Sequence, residues 1–211
     1  PTIIFIKEGE HEVQGYEEEY ENEDGEMEQE HVPYLLIQYA MQIIGAGRSK
    51  TFIQGGGIEI QGTKEEGKRV DMQDMTIKEA SGHGLYDFDG LSFLCNDMTF
   101  TQCGGSGVFA LDTKGRLINC VITQCYTSGI SCWENALIEL EGDQTKVDGN
   151  NTSGNSNYYG LKTYDTSSKI HLLLPLTKES VSTNNHGAGN YDDGPGAIET
   201  VASFNNNTNT T

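Results

Sequence analysis

The 211-residue chain is short of basic residues: 13 Lys and Arg stand against 32 Asp and Glu, a formal charge of −19. That balance excludes nucleic acid and anionic membrane surfaces as partners, because both attract Lys/Arg clusters. No apolar run approaches the roughly 18 to 20 residues a membrane span needs, so no membrane insertion is expected. Proline is scarce, 4 residues against 26 glycines, so the glycines read as backbone devices rather than flexible filler. Cysteine is limited to five residues crowded between Cys95 and Cys132, with no Cys-x-x-Cys pair. An odd, clustered set is not the spread of a disulfide-stapled secreted domain, and it lacks the usual zinc spacing. It leans towards a reducing compartment. The opening "PTIIFIKEGEHEV" is too short and polar to be a signal sequence, while a start at Pro1 leaves a removed leader open.

What the chain does have is a repeat. Residues 101–108 read TQCGGSGV and residues 123–130 read TQCYTSGI, displaced by 22. One unit earlier, residues 78–85 read KEASGHGL, displaced by 23, with Ala80 in the place of the cysteine. Asp74-Met75-Thr76-Ile77, Asp97-Met98-Thr99-Phe100 and Asn119-Cys120-Val121-Ile122 precede these motifs in register. A looser fourth unit carries its excess in "NNTSGNSNYY", which reads as a loop at one corner. Within a unit the apolar residues alternate, the period of a half-buried strand. A unit this short cannot hold a βαβ crossover, which takes about 30 residues.

Stacked coils solve this. Successive turns lie about 4.8 Å apart as parallel strands do, and each buries its apolar side against its neighbours. Ala80, Cys103 and Cys125 then form an interior small-residue ladder, in which Cys103 and Cys125 are stacked buried thiols, and Leu85, Val108 and Ile130 an aliphatic one. Gly84, Gly107 and Gly129 mark a corner where the backbone is expected to take a conformation a Cβ would oppose. The expected fold is all-β: a single-stranded right-handed parallel β-helix of roughly six to seven coils over residues 1–204. It carries an acidic insertion at 16–31, a polar insertion at 150–158 and an Asn/Thr-rich tail at 205–211.

The opening strand, then "IIGAGRSKTFIQGGG", then units of the form "VDMQDMTI" resemble the right-handed parallel β-helix family of pectate-lyase-like proteins. The resemblance implies this fold across most of the chain and leaves activity open, since the fold hosts lyases, hydrolases, epimerases and non-catalytic proteins.

Lyase chemistry in that family needs Ca²⁺ on acidic side chains and an Arg or Lys base. The Asp74/Asp97/Asn119 ladder, with Asp71 beside it, is the candidate cation site. Asp or Asn stacked at a corner is also ordinary turn chemistry. Polygalacturonase-type hydrolysis needs paired carboxylates, a Gly-His-Gly and an Arg-Ile-Lys. Gly82-His83-Gly84 is present, but Asp192-Asp193 follows it in inverted order and Arg-Ile-Lys is absent. His83 aligns with Ser106 and Ser128 and reads as a turn residue. Tyr126, Trp133, Tyr158, Tyr159 and Tyr164 crowd one half of the chain and are the candidate sugar-stacking platform. The segment from Glu17 to Glu30 holds nine carboxylates and no Lys or Arg, which reads as a solvated loop, or else as a low-affinity cation site or a docking surface for a basic partner. Three N-x-Thr sequons, at Asn150, Asn206 and Asn209, fall in Asn-rich stretches and carry little weight.

Two function classes follow. The favoured one is a non-catalytic solenoid with a rigid face for a glycan or protein partner, or a subunit of an assembly, with no cofactor. The other is a carbohydrate-active enzyme on acidic polysaccharide using Asp71, Asp74 and Asp97 with Ca²⁺.

Overall fold

A computed structural model describes residues 2–63, 68–192, 194 and 196–204. The tail at 205–211, its two sequons and Asp193 lie outside the described residues. The chain forms a parallel β-solenoid of about seven turns with almost no helix. The first coil holds β1 (Thr2–Phe5), β2 (Gly9–Glu12) and β5 (Tyr34–Ile37), with β3 (Tyr16–Glu21) and β4 (Met27–Val32) inserted. The next coils are β6 (Met41–Ile44), β7 (Thr51–Gly55), β8 (Gly57–Ile60); β9 (Arg69–Gln73), β10 (Thr76–Ala80), β11 (Leu85–Phe88); and β12 (Ser92–Asn96), β13 (Thr99–Thr101), β14 (Val108–Leu111). Then come β15 (Lys114–Ile118), β16 (Val121–Thr123), β17 (Ile130–Trp133) and β18 (Leu137–Glu141), β19 (Lys146–Asp148), β20 (Leu161–Thr163). The chain closes on β21 (Lys169–Leu173), α1 (Lys178–Val181), β22 (Ser182–Thr183) and β23 (Ala197–Val201).

Three parallel sheets result. Sheet I is β1-β6-β9-β12-β15-β18-β21-β23, sheet II is β2-β7-β10-β13-β16-β19-β22, and sheet III is β5-β8-β11-β14-β17-β20. Equivalent residues stack into interior columns. In sheet I one column runs Val70, Phe93, Gly115, Ile138, Ile170, and the next Met72, Cys95, Leu117, Leu140, Leu172. Sheet III supplies Ile58, Leu85, Val108, Ile130 and Leu161, all buried. Each fully buried aliphatic contributes roughly 1.5–3 kcal/mol, so stability grows with the stack rather than within a turn. On the first coil Ile4 and Leu35 lie in line with buried Ile43 and Ile58, yet are 42% and 43% exposed.

The corners are made in a way the glycine pattern did not indicate. Gly84, Gly107 and Gly129 are not in the left-handed region. A Cβ there would strike the next coil instead: 2.9 Å from Cys103 Sγ, 2.3 Å from Ile122 Cγ2 and 2.3 Å from Val147 Cγ1. The left-handed positions fall on other residues. Asp74, Asp97 and Asn119 take φ of 59°, 50° and 52° between sheets I and II, and Glu79, Gln102 and Gln124 take 53°, 55° and 57° at the end of sheet II. Asp and Asn tolerate this conformation better than other non-glycine residues, which suits the corner between sheets I and II that repeats it once per coil.

The thiol ladder is present and continues as amides. Cys103 and Cys125 are buried, and Asn150 and Asn185 follow in the next two coils. Asn150 accepts from the Cys125 N–H (3.1 Å) and donates to Ile122 O (2.9 Å), and its own N–H reaches Asn185 Oδ1 (2.9 Å). Asn150 is fully buried, so its sequon is inaccessible in the fold. All five cysteines are free and buried. Burial pushes the Cys95 thiol up and the Cys120 thiol to about 12, which leaves both unreactive.

Candidate functional site

Asp74 and Asp97 occupy successive left-handed corners, while Asp71 sits on the outer side of β9. Asp71 is held by Arg69 at 2.5 Å, Gln73 donates to Asp74 Oδ2 at 2.9 Å, and Asn96 donates to Asp97 Oδ2 at 3.1 Å. Arg48 runs down the same corner, donating to Asn119 O (3.0 Å) and Gln144 Oε1 (2.7 Å). Among the described residues no group of three or more His, Cys, Asp or Glu side chains is placed to hold a metal ion. The outer side of sheet I is likewise occupied by its own charges. Arg116 donates twice to the buried Glu139 (2.9 and 2.8 Å), Lys114 approaches it at 3.2 Å, and Phe204 lies on Arg116 at 4.6 Å.

The outer side of sheet III is different. An aromatic stripe runs along it, built by strand alternation, which sends Leu85 and Val108 inward and their neighbours Tyr86 and Phe109 outward. Tyr34 stacks towards Tyr86 at 5.8 Å between centroids, Tyr86 meets Phe109 at 5.4 Å, Phe109 meets Trp133 at 6.4 Å, and Trp133 meets Tyr164 at 4.4 Å. Tyr34 spans the intervening coil because Gly57 has no side chain; a Cβ there would lie 2.9 Å from its ring. From the first coil to the sixth this is roughly 24 Å at strand spacing.

His83 packs into this stripe. Its ring lies 4.7 Å from Phe109 and 5.5 Å from Tyr86, and its Nδ1 accepts from the Ser106 N–H at 2.9 Å. Its backbone N–H donates to Tyr34 Oη. Burial lowers its pKa to about 4, so the ring is neutral. At the first-coil end Glu59 is buried beneath Tyr16, whose hydroxyl donates to it at 3.0 Å.

The five aromatics singled out from sequence separate into two places. Trp133 and Tyr164 close the far end of the stripe. They line a cleft of about 470 Å3 with Glu134, Asn135, Asp165 and Ser167. Tyr159 joins them through Lys162, whose Nζ lies 4.7 Å from the Tyr159 ring and 4.9 Å from that of Tyr164. Tyr158 is tied by its carbonyl to buried Asn151, which shapes the loop. Tyr126, 56% exposed, stands apart in a groove of about 700 Å3 with Gln102, Gln124, Asp148 and His186. The sequence reading missed Tyr34, Tyr86 and Phe109. Tyr86 and Phe109 hold the same repeat place, one residue after Leu85 and Val108, which was the available signal.

The acidic segment is more ordered than a loop. β3 and β4 pair antiparallel, Tyr16 opposite Val32 and Glu21 opposite Met27, with nearly every side chain exposed.

A family described as "Right handed beta helix region" matches residues 56–210 of the chain. No curated protein and no solved structure gave a significant match.

Proposed function

This chain belongs to the right-handed β-helix family, and we propose that it is a non-catalytic binding module that holds a glycan along the outer side of sheet III. The observation that carries this reading is the continuous aromatic stripe from Tyr34 to Tyr164. Aromatic faces bury the C–H faces of sugar rings, and the cleft at the far end of the stripe supplies hydroxyl, amide and carboxylate groups. A rigid solenoid is well suited to this, because the stripe is ordered before the ligand arrives and little is lost in ordering it. Against catalysis stand the neutral, doubly held His83 and the corner carboxylates, each bonded within the chain and placed away from the stripe.

On an array of oligosaccharides the protein is expected to retain chains of several sugars, and Tyr86→Ala and Trp133→Ala are each expected to weaken retention about tenfold. Retention unchanged in both variants would sink the assignment of this face. Incubation with polyuronates and Ca²⁺ is expected to give no rise in unsaturated-product absorbance; a rise that depends on Asp97 would replace the binding role with a catalytic one.

A further inference from the structure

Resting on the glycan reading above, we infer that the cleft formed by Trp133, Glu134, Tyr164 and Asp165 takes a protonated amino sugar rather than a uronate. Its lining includes two carboxylates and no Lys, Arg or His. On the same sheet, Lys162 is held by Asp192 at 2.5 Å and covered by two tyrosine rings, so its charge is already answered. A uronate arriving here would meet fixed negative charge on a chain that carries −19 overall.

The two carboxylates differ in what they can offer. Asp165 is spent on the turn: Oδ2 accepts from the Glu134 N–H (2.7 Å) and Ser168 Oγ (2.8 Å), and Oδ1 accepts from the N–H groups of Ser167 (2.9 Å) and Ser168 (3.0 Å). Burial pushes its carboxyl up, but the donors from Ser167, Ser168 and Glu134 outweigh this and hold it well below the usual range. Glu134 is exposed at the rim, in the left-handed region (φ 45°) with Asn135 after it (φ 65°). Its carboxylate has no hydrogen-bond or ion-pair partner among the described residues. An ammonium group set between Glu134 and the half-buried Trp133 ring gains both an ion pair and a cation–π contact.

Trp133 is the single tryptophan of the chain, so its fluorescence reports this cleft alone. The full chain is titrated with a glucosamine tetramer, its N-acetylated counterpart and a galacturonate tetramer. The expected order is glucosamine strongest, the N-acetylated form about tenfold weaker, and galacturonate without effect. Glu134→Gln is expected to weaken the glucosamine tetramer about fivefold and leave the N-acetylated one unchanged, with added salt mimicking the variant. Galacturonate binding as well as glucosamine, or a Glu134→Gln variant indistinguishable from the parent, overturns the amino-sugar inference while leaving glycan binding standing. Silence towards all three sugars, with no retention on the array, overturns the glycan reading itself.

Discussion

Replacing Gly115 by valine is expected to destabilise the solenoid by about 3 kcal/mol or more, at the upper end of overpacking costs. Gly115 faces Phe93 on one side and Ile138 on the other in a sheet I column. A Cβ at Gly115 would sit 2.1 Å from Phe93 Cζ and 2.5 Å from Cε2. Its backbone is not left-handed, so the objection is purely steric: the phenyl ring of one coil fills the space left by the missing side chain of the next. In a chain of this size the midpoint of thermal unfolding should drop by about 6–12 °C, read by circular dichroism. Phe93→Ala alone removes a large buried side chain and is expected to cost about 3–5 kcal/mol. Combined with Gly115→Val it should cost clearly less than the sum, because the valine enters the vacated space. Strict additivity would show that the ring and the new side chain do not compete.

That pair also shows where sequence reasoning reached and where it stopped. The coil register was legible because identical motifs recur at 22 and 23 residues and only stacked parallel coils bury them all. Column partners such as Leu85, Val108 and Ile130 followed directly. Phe93 against Gly115 did not, since a large residue matched with a small one leaves no repeat to see. The corner glycines were attributed to backbone conformation, whereas the left-handed φ belongs to Asp74, Asp97, Gln102 and their equivalents. A side chain forbidden by a neighbour one coil away and one forbidden by φ look the same in a sequence. The aromatic stripe was half visible. Trp133 and Tyr164 stood out by composition, but Tyr34 joins only because Gly57 lets it reach across a coil, a contact between residues 52 apart in the chain. Tyr126 lies near Trp133 in sequence, yet the two fall beside different grooves because the corner at the start of β17 intervenes.

Lowering the pH from 7 to 5 is expected to cost about 2 kcal/mol through His83 alone. The folded pKa is lowered to about 4 by burial, against about 6.5 in the unfolded chain. Above 6.5 both states hold a neutral ring and His83 imposes no penalty. As the pH falls from 6.5 towards 4 the unfolded chain takes up a proton that the folded chain refuses, so stability drops throughout that window, by about 3 kcal/mol in all. Protonation in the fold would set an N–H against the Ser106 N–H now donated to Nδ1, and a charge against the Phe109 and Tyr86 rings with little water to solvate it. His171, whose pKa burial also lowers, acts in the same direction. The variant that isolates His83 is His83→Asn, whose amide oxygen can accept from Ser106 without titrating. It is expected to be less stable at pH 7, having lost the ring contacts, but to lose about 2 kcal/mol less than the parent between pH 7 and 5. Urea unfolding at the two pH values measures the difference, and parallel losses in parent and variant would show that His83 does not carry the pH dependence. His83→Phe supplies the complementary result: it keeps an aromatic ring in the stripe but leaves the Ser106 N–H without its acceptor, so it should be less stable than the parent at pH 7, with a penalty about 2 kcal/mol smaller at pH 5 because the phenyl ring does not titrate.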